Sequence, residues 1–148
     1  YDNASPSGNS VAVDVLLRLS VLLDREDYRE KAAAVLENLS GGMAQVPGGF
    51  GRLLSALDFH LSTPYEIALV WSPDAPDTKA LISAVYSDYL PNKVVAGRVE
   101  SDEAAAESIP LLAERPAREG KVTAYVCVNY ACQSPTTDPE ELREQLAG

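Results

Sequence analysis

The spacing of the apolar residues changes at Thr63-Pro64, and that change decides what the chain can fold into. Before it, Phe50, Leu53, Leu54, Leu57 and Leu61 recur at the spacing of one helical face. After it, Ile67-Ala68-Leu69-Val70-Trp71 is a short, nearly continuous apolar run behind Glu66, the pattern of a strand buried on both faces. A striped helix needs one covered face, whereas such a strand needs two. The 148 residues are long enough for one respectable core or two small layers. We therefore expect a helical segment over 1–63 and a small α/β subdomain over 64–148.

The helical segment begins at Ser5-Pro6-Ser7-Gly8-Asn9-Ser10, a turn cluster rich in N-cap residues. From Val11 to Leu23 a helix follows that is apolar almost all round, which marks it as buried. Asp14 and Arg18, four positions apart, can pair on its polar stripe. Asp24 to Asp27 form a charged turn, and Tyr28, Ala32, Val35, Leu36 and Leu39 form the stripe of a second helix. Ser40-Gly41-Gly42 is expected to end that helix, completing an antiparallel helical hairpin. A third helix runs from Pro47-Gly48-Gly49 to about Leu61.

Beyond Pro64, a strand over 66–71, a helix from Asp77 to Tyr89 and a strand over 93–99 make a βαβ unit with parallel strands and a right-handed crossover. A looser stretch spans 101–119, and a third strand spans 121–128. Asp138-Pro139-Glu140-Glu141 opens the last helix as a capping box, with Glu141 reaching back. The expected fold is α/β (α+β overall): a helical hairpin and third helix, then a three-stranded, mainly parallel α/β layer.

A net charge of −10 and a pI near 4.4 set the surface against phosphate backbones and anionic membranes. Arg115, Arg118 and Lys121 come closest to a basic patch, and Glu114 and Glu119 dilute it. Asp14 and Arg18 interrupt the longest apolar run, so no membrane span is expected. Two cysteines and one histidine fall short of the four ligands of structural zinc, so no metal is expected. Pro47-Gly48-Gly49-Phe50-Gly51 follows no strand and lacks the Gly-Lys-Ser/Thr ending of a phosphate loop. The turn after the first strand carries Asp74 and Asp77, which would repel a phosphate. No cofactor is expected. With so few cysteines, a reducing cytoplasm is the default compartment. The chain opens on Tyr1-Asp2-Asn3 with no initiator Met or leader pattern, which reads as a piece of a longer protein.

Two separated stretches resemble one family. Asp2-Asn3-Ala4-Ser5-Pro6-Ser7-Gly8-Asn9-Ser10-Val11-Ala12 is similar to its D-N-A-x-P-S-G-N-S-x-A motif. Ala124-Tyr125-Val126-Cys127, Cys132-Gln133 and Pro135-Thr136-Thr137-Asp138-Pro139-Glu140-Glu141-Leu142 are similar to its C-terminal motif. Ala56-Leu57-Asp58-Phe59 and Glu66-Ile67-Ala68-Leu69-Val70 fit the pattern between them. The family is that of the long thioredoxin-domain-containing proteins of the spermatogenesis-associated type. The resemblance implies an upstream thioredoxin-like domain and a six-hairpin helical toroid, whose end would be the helices of 1–63. It covers the last third or less of a family member and brings no assigned reaction.

The candidate chemistry is sparse. Cys127 and Cys132 lie five positions apart at a strand end and could be bonded, bind a metal with outside ligands, or stay free. The apolar strand around Cys127 favours structural thiols, and the spacing differs from Cys-x-x-Cys redox centres. Asp2, Asn3, Ser7 and Asn9 are either a helix cap and turn or, in a toroid, residues lining a carbohydrate-binding cavity. His60 has no nucleophile placed beside it by local spacing. The leading reading is a structural and interaction fragment, not active as an enzyme by itself. Its partners would be the upstream domains of the same protein or a second copy packed on the helical segment. Part of a carbohydrate-processing enzyme and a thiol–disulfide redox accessory are the alternatives.

Overall fold

The computed structural model describes residues 1–75, 78–129 and 131–147. The chain forms two compact units, Tyr1–Thr63 and Pro64–Gly148. Together they make a mixed α/β protein, as expected.

The first unit holds α1 (Gly8–Leu22), α2 (Glu26–Gln45) and α3 (Gly51–Leu61), with a 3-10 turn at Pro47–Gly49. Ser7 caps α1 by accepting from the Ser10 N–H at 3.2 Å. The expected stop at Ser40-Gly41-Gly42 is not one: α2 continues to Gln45. Gly42 serves close packing instead, because a Cβ there would stand 3.1 Å from the Phe50 ring. Val13, Leu17, Ala32, Leu36, Met43, Phe50, Leu53, Ala56 and Phe59 fill the core of this unit. The all-round apolar helix over 11–23 does not bury all round. Val11 and Val15 are 42% and 46% exposed, while Ser10 and Asp14 on α1 are buried.

The second unit is a sheet of four strands in the order β2-β1-β3-β4. These are β1 (Tyr65–Trp71), β2 (Lys93–Val99), β3 (Thr123–Val128) and the short β4 (Ala131–Cys132). β1 and β2 pair in parallel around α4 (Lys79–Val85), as the βαβ reading requires. The remaining pairings, β1 with β3 and β3 with β4, are antiparallel, so the layer is mixed rather than mainly parallel. The physical reason is the return path: β3 arrives after a long covering segment, and β4 follows it through a tight hairpin at Asn129, whose φ is +49°.

Strand alternation gives the sheet two faces, and both are covered. On one, Ile67, Leu69, Val122, Ala124 and Val126 meet Leu81, Ala84 and Val85 of α4 and Leu142 of α6 (Pro139–Leu146). On the other lie Glu66, Ala68, Val70, Tyr125 and Cys127, beneath the segment read from sequence as loose. That segment contains α5 (Glu103–Ser108) and a 3-10 turn, Pro110–Leu112, whose Leu111 and Leu112 are buried. α4 ends at Val85, short of the expected Tyr89, and Asp77, its expected start, lies outside the described residues. Asp138 caps α6 through the Glu140 and Glu141 N–H groups, as the sequence indicates. Glu141, however, accepts from the Thr136 hydroxyl at 2.6 Å instead of closing the capping box.

Candidate functional site

In the first unit the residues read as a turn or a cavity wall form a clip. One Asp2 oxygen accepts from the Ser7 N–H at 2.8 Å. The other accepts from the N–H groups of Arg52 (2.8 Å) and Leu53 (3.2 Å). Those are first-turn donors of α3, a helix with no side-chain cap of its own, so Asp2 supplies that cap across fifty positions of sequence. Partial burial works against its charge. The Ser10 hydroxyl and the Ser7, Leu53 and Arg52 N–H groups outweigh it and hold the carboxyl well below the usual carboxylate range. Asn3 is exposed and accepts from the Ala4 N–H at 2.9 Å, and Asn9 is exposed on the first turn of α1.

Asp14 adds a buried carboxylate. It accepts from Arg18 at 3.1 Å, as the spacing suggests, and from Arg52 at 2.5 Å, which sequence reasoning missed. Arg18 also lies over the Phe59 ring, 4.7 Å from its centroid. Both carboxylates are therefore occupied by donors of the chain itself. Asp2, held ionised, is a poor proton donor, and glycoside chemistry needs one carboxyl kept protonated. The polar loop is built to hold α1 and α3.

In the second unit Cys127 and Cys132 come together as a disulfide. They are directly opposed on β3 and β4. The Gln133 N–H donates to the Val126 carbonyl at 2.9 Å beside them, which places the pair at a non-hydrogen-bonded position, where opposed side chains stand closest. The strand reading of Cys127 holds, since it is buried, but its thiol is not free; Cys132 is exposed.

Arg115 is the residue sequence reasoning missed here. Its Nη2 lies 3.3 Å from the Cys127 sulfur and 3.6 Å from that of Cys132. Three contacts fix it: Nη1 donates to the Leu111 carbonyl, the guanidinium lies 5.6 Å from the Tyr125 ring centroid, and buried Arg98 donates to the Arg115 carbonyl at 3.2 Å. Burial lowers the guanidinium's proton affinity from its ordinary value, and the Glu66 carboxylate and Tyr125 oppose that. Glu66 stands directly opposite Cys127 on β1. Nothing local in the sequence joins Arg115 to the cysteines; the turn at Pro110–Leu112 folds it over the sheet.

An open groove of about 520 Å³ is lined by Glu103, Ala106, Glu107, Pro110, Ala113 and Glu114, and none of the expected site residues reaches it. Among the described residues, no cluster of three or more His, Cys, Asp or Glu side chains is placed to hold a metal ion. None of their helices is long and apolar enough to cross a membrane.

The chain is similar to spermatogenesis-associated protein 20. Human spermatogenesis-associated protein 20 is 37% identical over 146 residues, covering 98% of this chain and 19% of the relative. The rat and mouse proteins of that name are 36% and 35% identical, each with 18% of its length covered. The chain thus spans about a fifth of the length of the curated relatives it matches. No protein-family profile and no solved structure matches it.

Proposed function

We propose that this chain is a structural and interaction portion of a longer protein resembling spermatogenesis-associated protein 20, and that the outward face of α1 packs against the rest of that polypeptide. One observation carries the reading: α1 has a second apolar face that the unit does not cover. The helix buries Val13 and Leu17 together with Ser10, Asp14 and Ser20, and exposes Val11, Ala12 and Val15, with half-buried Leu19 and Leu22 continuing the apolar stripe. A helix left to water would place those valines inward.

The occupant is argued from length. The relatives carry most of their sequence outside the stretch this chain matches, which supplies ample chain to cover one helical face. The thioredoxin-like domain and helical toroid implied by the family resemblance would be that remainder, acting in the cytoplasm. Without it, the chain is expected to self-associate through the same face. Sedimentation velocity over a concentration series tests this. A weight-average mass that rises with concentration, and returns to monomer in the Val11→Lys, Val15→Lys double variant, supports the reading. A monomer at all concentrations that binds no apolar dye overturns it.

A further inference from the structure

We propose that Cys127 and Cys132 form a thiol–disulfide exchange site for thiol reductants, in which Cys132 is the sulfur attacked and Arg115 stabilises the Cys127 thiolate that leaves. The proposal is independent of what covers α1.

Three features argue for exchange rather than bracing. The bond closes a span of five positions, the short-loop case in which a disulfide restricts the unfolded chain least. The hairpin has other ties: Gln133 N–H to Val126 C=O, and a reciprocal pair of backbone bonds between Ala124 and Thr136 at 2.8 and 3.0 Å. The two sulfurs are also unequal. Cys127 is 2% exposed and Cys132 is open to solvent, so a nucleophile reaches only one of them.

The unequal exposure sets the direction of the exchange, and the guanidinium, 3.3 Å from the Cys127 sulfur and 3.6 Å from that of Cys132, stabilises the thiolate that leaves. A thiolate RS⁻ attacks the Cys132 sulfur and forms an RS–S bond, while the Cys127–Cys132 bond breaks and its electron pair leaves on the Cys127 sulfur. That charge develops 3.3 Å from Arg115 Nη2. It also develops opposite the Glu66 carboxylate, which disfavours it, so the nearby cation is what lets Cys127 leave. A second RS⁻ attacks the reductant sulfur of the mixed disulfide and releases Cys132 as a thiolate. Proton uptake by both cysteines completes the exchange: the protein disulfide and two RSH give two protein thiols and RSSR. The protein gains two electrons, and the reductant loses them. The substrates implied are small or protein thiols that approach the exposed β4 edge.

The whole chain with reduced glutathione provides the test, by quenching with an alkylating agent and mapping both cysteines by mass spectrometry. We expect the trapped intermediate to carry glutathione on Cys132 and the alkyl group on Cys127. We expect Arg115→Met to slow reduction by about three- to tenfold, because the leaving thiolate loses the cation beside it. Arg115→Lys should recover part of the rate, and the Cys127→Ser, Cys132→Ser double variant should keep the helical circular dichroism of the parent. Glutathione on Cys127, an unchanged rate in Arg115→Met, or reduction only after denaturation would each overturn the proposal. The mapping uses the unaltered chain and decides the point even where Arg115→Met fails to fold.

Discussion

The two units solve the burial problem in opposite ways. In Pro64–Gly148 the sheet has cover on both faces, α4 and α6 on one and the Pro110–Leu112 turn on the other. Its apolar strands have lost their water, and several polar groups brought inside have partners: the terminal nitrogens of Arg98 donate to the Glu100 and Arg115 carbonyls, although its Nε has no partner, and Thr123 Oγ1 accepts from the Arg118 N–H at 2.7 Å. In Tyr1–Thr63 the core between the helices is held by apolar residues and by a polar clip, while Val11 and Val15 of α1 face outward. The lesson is that one unit covers both faces of its sheet, whereas the other leaves Val11 and Val15 of one helix in water.

Substitutions should separate the units by how much each has to lose. The largest effect belongs to Leu142→Ala. This side chain is fully buried between α6 and the sheet, and its removal should cost the second unit about 2–5 kcal/mol in denaturant unfolding. Asp14→Ala should come next, at roughly 1–3 kcal/mol for the first unit. It takes an acceptor from Arg18 and Arg52, but both arginines keep enough solvent to soften the loss well below that of a fully buried pair. Ser7→Ala removes the α1 cap and should cost about 1 kcal/mol, read as a lower melting temperature.

Smaller still is a pH effect in the same clip. The Asp2 carboxyl is held below its unfolded value, so its contribution is complete above about pH 4 and is lost as the pH falls from there toward the folded value. Asp2→Asn should therefore flatten the acid limb of the first unit's stability curve, measured by circular dichroism across an acid titration. An acid limb identical to the parent's would show that Asp2 does not clip α3.

How much of the molecule was legible in the sequence depends on the range of each interaction. The Ser7 and Asp138 caps, the Asp14–Arg18 pair and the parallel β1–β2 unit rest on near neighbours or on a repeated period, and all were legible. Gly42 misled because a glycine that admits an aromatic ring reads the same as one that ends a helix. β4 was missed because two residues carry no alternation to detect. Asp2 on α3, Arg52 on Asp14 and Arg115 on the cysteines all join distant positions, and only the folded chain brings them together. The uncovered face of α1 was hidden for the opposite reason: its pattern is apolar on nearly every side, so period alone could not choose the inner face.

The outward face of α1 is where the contrast is most exposed to test. Val15→Cys places a thiol on that face with little effect on stability, within about 0.5 kcal/mol, while both native cysteines are held in the disulfide. Its maleimide labelling rate would be measured under non-reducing conditions at dilutions where the chain is monomeric, and again with the chain joined to the remainder of a full-length relative. We expect labelling to be at least about tenfold slower in the longer protein, the change produced by a covered face that opens with a cost of about 1.4 kcal/mol. Equal rates in the two settings would show that α1 remains bare and would contradict the proposed packing.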